Sequence, residues 1–117
     1  MTYQNGQIEL ALAKVCQIPA TEIGALKGKL RYFRRLGIPR IEKVGSGHRA
    51  NFSFLDMLKM RVAVELSNIG VKPAAIRKFI DEEDRDWTDY NIVFRVSPVS
   101  SITVNLTKII RELDGVL

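Results

Sequence analysis

The chain has 117 residues, is 46% hydrophobic and carries a formal net charge of +5. That length allows one compact domain with a real core, and no apolar run approaches the ~18 residues needed to span a bilayer. Residues 1–6 lack the basic region and apolar stretch of a signal peptide, and the one cysteine, Cys16, cannot close an internal disulfide, so a cytoplasmic protein is expected. Ile8, Leu12 and Val15 recur at helical spacing and predict a first short helix ending near Cys16. After Pro19, Thr21 is positioned to cap a second helix, whose apolar stripe is Ile23, Leu26, Leu30 and Phe33. Gly37 and Pro39 stop it. At 100° per residue, Lys27, Arg31, Arg34 and Arg35 fall on a face adjoining that stripe. Gly24 and Gly28 lie on or beside this face. They either let the helix approach a DNA backbone closely or break it into two pieces.

Two short extended runs follow, residues 40–44 and 48–52, separated by Gly45-Ser46-Gly47. A glycine-rich turn between two such runs predicts a β-hairpin. This one carries Arg40, Lys43, His48 and Arg49 against Glu42 alone. A basic hairpin directly after a basic helix is the pattern of a wing. Ser53 with Asp56 three residues on is a variant capping box that opens a third helix, with a stripe of Leu55, Leu58, Val62, Leu66 and Ile69, stopped by Gly70. Pro73 suits the first turn of a fourth helix bearing Ile76, Phe79 and Ile80. The acidic stretch 81–89 around Trp87 reads as a solvated linker, because it lacks the glycine and terminal glutamate of a calcium loop. Alternation of Ile92, Phe94 and Val96, then of Ile102, Val104 and Leu106, predicts a second hairpin about Ser97-Pro98-Val99-Ser100. A closing helix places Leu106, Ile109, Ile110 and Leu113 on one face.

Charge is unevenly distributed along this order. Residues 27–61 hold ten basic and two acidic side chains, net +8, whereas residues 1–26 are net −1 and residues 62–117 net −2. A positive field confined to the central third of the chain points to a polyanion, usually nucleic acid.

Three segments resemble the MerR-type winged-helix regulators. Residues 30–38, reading LRYFRRLGI, are similar to that family's LRYYERLGL stretch. Residues 47–53, GHRANFS, resemble its wing, GYR-x-YS, with one residue more. Asp56, the run 66–71 and Ile76-Arg77 resemble the family's D…L-x-x-x-G-x-s-x-x-x-I-R pattern. The resemblance spans roughly residues 8–80. It implies DNA contacts for Arg31 and Arg49 and a phosphate contact for Tyr32. Phe33 stands where the family has a tyrosine and Arg34 where it has a glutamate, and about seven extra residues precede LRYF. The family's long dimerisation helix is replaced by the acidic stretch and hairpin, so its effector and metal chemistry does not carry over.

The expected fold class is mainly α with small β: a winged helix-turn-helix over residues 1–80, an acidic linker at 81–90, and a hairpin plus helix at 91–117. The expected function is a sequence-specific regulator of transcription that binds double-stranded DNA. The alternative is a phage or mobile-element DNA-architecture factor, such as an excisionase or a small terminase subunit. The candidate DNA-binding residues are Lys27, Lys29, Arg31, Tyr32, Arg34, Arg35, Arg40, Lys43, His48 and Arg49. No nucleophile motif, phosphate-binding glycine loop or metal-ligand cluster points to an enzyme, a cofactor or a small-molecule effector. The apolar hairpin and closing helix, residues 91–113, are expected to pair with a second copy, because so short a tail cannot bury that surface by itself. Packing against the tail's own domain is the rival arrangement.

Overall fold

The computed structural model describes residues 3–38, 52–82 and 86–116. Helix α1 (Asn5–Val15) buries Ile8, Ala11, Leu12 and Ala13. A 3-10 turn (Ala20–Glu22) leads into α2 (Ile23–Arg35). No side chain caps this start, so the cap expected of Thr21 is not used, and Pro19 and the turn set the entry instead. α3 (Phe54–Asn68) and α4 (Pro73–Asp81) follow. Then come the antiparallel strands β1 (Asn91–Ser97) and β2 (Ser100–Asn105), and α5 (Leu106–Val116).

One local device ends three of these helices. After α2, Gly37 takes φ +79°, its N–H donates to the Arg34 carbonyl at 3.1 Å, and the Ile38 N–H donates to the Phe33 carbonyl at 2.9 Å. α3 repeats the arrangement with Gly70 at φ +94° and Val71 bonding back to Leu66. α1 does the same with Gln17 at φ +53°, a conformation that a side chain makes costly. At the start of α3 the capping box forms as expected. Asp56 N–H donates to Ser53 Oγ at 3.1 Å, and Ser53 N–H donates to Asp56 Oδ2 at 2.9 Å. α5 starts differently: the Tyr90 carbonyl accepts from the Leu106 and Thr107 N–H groups, and Asn105 Oδ1 accepts from the Lys108 N–H. Free donors of the first turn are thereby satisfied.

α3 is the central helix. It buries Met57, Leu58, Met60, Val62, Ala63, Val64 and Leu66, well beyond a single stripe, because α4 packs on it from one side and α5 from another. The stripe expected from spacing holds in the middle and fails at both ends, where Leu55 and Ile69 are exposed. In the hairpin, Ile92, Phe94 and Val104 are buried as the alternation requires. Val96 is exposed, because the pairing register shifts between Arg95 and Ser97.

The hairpin and closing helix pack in the manner of the rival arrangement named above. Ile92, Phe94, Val104, Leu106, Ile109 and Leu113 belong to the same buried cluster as Ile8, Leu30, Phe33 and Leu66. The Phe94 ring lies 5.2 Å from that of Phe79 on α4, and α5 packs on α1 and α3. The described part of the acidic stretch has one contact with the core. Trp87 packs partly against this core, with Lys59 Nζ 5.8 Å from its ring centroid. Asp86 stays exposed and accepts hydrogen bonds from the Thr88 backbone and hydroxyl. The tail therefore buries its inner face without a second chain.

Candidate nucleic-acid interface

The basic helix is held by its apolar stripe. Leu26, Leu30 and Phe33 are buried and Ile23 is partly so, which fixes the rotation of α2 about its axis. With that rotation set, Lys27, Arg31 and Arg35 at i, i+4 and i+8 form one exposed row. At ~1.5 Å rise per residue the row extends about 12 Å, close to the ~12 Å width of a B-DNA major groove. Tyr32, 47% exposed, stands on the far side of this row from Arg34.

Gly24 and Gly28 project into the same outward face. α2 runs unbroken through both, so the reading in which they split the helix is corrected. A Cβ built at either would meet nothing within 4 Å. Packing among the described residues does not call for glycine at these positions. They leave a strip of bare backbone beside three cations.

The other two cations of α2 are turned to its flanks. Lys29 is half-buried, and its Nζ donates to Asn68 Oδ1 at 3.3 Å, tying α2 to the end of α3. Arg34 is half-buried on the side of α1, with Nη1 enclosed and lacking a hydrogen-bond partner. Desolvation pushes its guanidinium below the ordinary value; Glu9 on α1 opposes this and Arg31 adds to it. Helical projection puts Arg34 on the face adjoining the stripe, and at about 80° from Leu26 it borders that stripe rather than the centre of the open face.

Arg40, Lys43, His48 and Arg49, the four basic residues expected on the wing, lie outside the described residues. Phe52, where the described residues resume, is anchored. Phe52 is fully buried and pairs with Tyr3 through two backbone hydrogen bonds of 2.7 and 2.8 Å. Sequence reading missed this bridge, since a single paired residue leaves no periodic signal.

Cys16 is half-buried at the end of α1. Burial pushes its thiol upward, partly offset by Arg61, so it is a poor nucleophile near neutral pH. Among the described residues no cluster of three or more His, Cys, Asp or Glu could hold a metal, and no helix is long and apolar enough to cross a membrane.

The model of the MerR HTH family regulatory proteins matches residues 20–83, more than half of the chain. The match takes in α2, α3 and α4 and leaves α1, the β1–β2 hairpin and α5 outside it. No curated protein matches the chain. Together with the exposed basic row on α2, the family match settles the identity: the chain belongs to the MerR helix-turn-helix family of regulatory proteins.

Proposed function

We propose that the protein is a sequence-specific transcriptional regulator that binds double-stranded DNA with α2 in the major groove and the basic hairpin alongside it. The observation that carries this reading is the row of Lys27, Arg31 and Arg35 on the open face of α2, interleaved with Gly24 and Gly28. Arginines on such a row can bind guanine edges bidentately, and all three cations neutralise phosphates. In this proposal the exposed Tyr32 contacts a phosphate, and Arg40, Lys43, His48 and Arg49 complete the basic surface. Lys29 and Arg34 act from the flanks, the first by holding α2 to α3 and the second by filling the α1–α2 junction. Two copies bind an inverted repeat, joined through the 91–113 segment.

Fluorescence-anisotropy titrations of duplex DNA at several salt concentrations test the reading. Release of counterions from ~4–8 phosphates per protomer should give a steep fall of log affinity with log salt. Binding that ignores salt, or none at low salt, would sink it. Arg31→Ala should weaken a specific site by about 1–3 kcal/mol and leave thermal stability nearly unchanged. Normal binding by that variant would remove α2 from the recognition role.

A further inference from the structure

We propose that Arg31 and Arg35 are the base-reading pair of α2, and that the stretch of duplex under this helix carries two guanines within three consecutive base pairs. The inference rests on the DNA reading above and names the bases that α2 takes. The cations of α2 differ in their surroundings. Lys29 is held by Asn68, and Arg34 is half-buried on the side of α1. Lys27, Arg31 and Arg35 are exposed, and none of them bonds to another described residue. At ~100° per residue the stripe of Ile23, Leu26, Leu30 and Phe33 centres about 20° past Leu26, so the middle of the open face lies about 200° from Leu26. Arg35 falls at about 180°, Arg31 at about 140° and Lys27 at about 100°. Lys27 is therefore on the shoulder, and the two arginines stand nearest the middle.

Gly24 and Gly28, at about 160° and 200°, occupy the same middle in the N-terminal half of the helix. A recognition helix ordinarily reads base edges with its N-terminal residues. Here those positions carry no side chain, so base reading passes to Arg31 and Arg35, and the bare backbone before them lets the helix seat closely. A guanidinium is a planar fork of donors with no acceptor. Guanine alone sets two acceptors, O6 and N7, on its major-groove edge, whereas adenine and cytosine place an amino donor there and thymine one acceptor beside a methyl group. Lysine brings charge without the fork, which suits Lys27 to a phosphate. Arg31 and Arg35 are separated by about 6 Å along the helix axis, a distance that covers no more than two of the ~3.4 Å steps between base pairs. Each fork takes one guanine, and the two guanines lie that close together.

Selection of bound duplexes from a random-sequence pool by the full chain tests the proposal. The selected sites should hold the guanine pair at this spacing, and replacing either base by 7-deazaguanine, which lacks the N7 acceptor, should weaken binding roughly tenfold. Arg31→Lys and Arg35→Lys keep the charge and lose the fork. Each should abolish the preference for guanine at one of the two positions and leave the salt slope as in the parent, with an unaltered circular dichroism spectrum. Lys27→Ala should instead weaken all duplexes alike and make the salt slope shallower by about 1. Selected sites without the guanine pair, or lysine variants that keep both guanine preferences, would overturn the assignment, while salt-dependent duplex binding by the same chains would leave the DNA reading standing. A parent that binds no duplex at low salt would refute both.

Discussion

The two glycines of α2 present a cost without a structural return among the described residues. Gly28, inside the helix, lowers its stability by roughly 1 kcal/mol relative to alanine, and Gly24, in the first turn, by less. Neither is needed for backbone conformation, because positive φ is confined to Gln17, Gly37 and Gly70 among the described residues. Neither is needed for space, because a Cβ at Gly24 or Gly28 meets nothing within 4 Å. Gly28→Ala should therefore raise the unfolding free energy by about 1 kcal/mol, and Gly24→Ala by a smaller amount, read from urea denaturation. If the bare strip lets the helix seat against DNA, the same variants should bind duplex DNA more weakly. A stabilised variant with unimpaired binding would show that the glycines serve neither purpose. The sequence carried both halves of this argument except the decisive one. Spacing placed the glycines near the basic face, but only the continuous helix excludes a break there. Lys29 shows the opposite case. Its charge marked it as a DNA ligand, yet its bond to Asn68 spans 39 positions, beyond the reach of any local pattern.

Helix boundaries follow from chemistry that lies within a few residues, and they were largely readable. Ser53 and Asp56 close a reciprocal pair at the head of α3, and Gly37 and Gly70 close the tails of α2 and α3. Ser53→Ala removes the acceptor for the Asp56 N–H at the start of the central helix. It should cost about 1 kcal/mol in chemical denaturation, whereas Ser101→Ala on the exposed side of β2 should cost under about 0.5 kcal/mol. An equal cost at both positions would mean that the capping box contributes nothing specific. Burial was less readable than boundaries. Leu55 and Ile69 belong to the apolar repeat of α3 by spacing, but lie beyond the region where neighbouring helices pack, while Met57, Met60 and Val64 are buried off that repeat. A one-sided stripe describes a helix with one neighbour, and α3 has neighbours on more than one side. Val96 failed for a different reason: alternation assumes a regular strand, and the irregularity after Arg95 turns the pattern outward.

At the scale of the whole molecule, the main question is whether the hairpin and α5 are an appendage or part of the domain that presents α2. The acidic composition of residues 81–89 suggested an appendage, but composition does not register that Trp87 is anchored or that Phe94 meets Phe79. Those contacts are long-range and aromatic, and they draw Phe94, Leu106, Ile109 and Leu113 into one core with the residues that orient α2. A shared core implies shared unfolding: if the tail cannot separate without exposing Ile8, Leu12 and Leu66, there is one cooperative transition and not two. Phe94→Ala puts this to the test. Phe94 is fully buried, and truncating such a side chain costs about 3–5 kcal/mol. In the parent and in the variant, Trp87 fluorescence reports on the join between α4 and the hairpin, while far-ultraviolet circular dichroism reports on the helices. Both probes should give coincident urea transitions, and both midpoints should fall together in Phe94→Ala. Duplex binding should then be lost at the urea concentration that unfolds the tail, because α2 has no separate support. If the fluorescence transition moved to lower urea while the dichroism transition stayed in place, the tail would be an independent unit. Residues 1–80 would then hold the basic row of α2 in position without it.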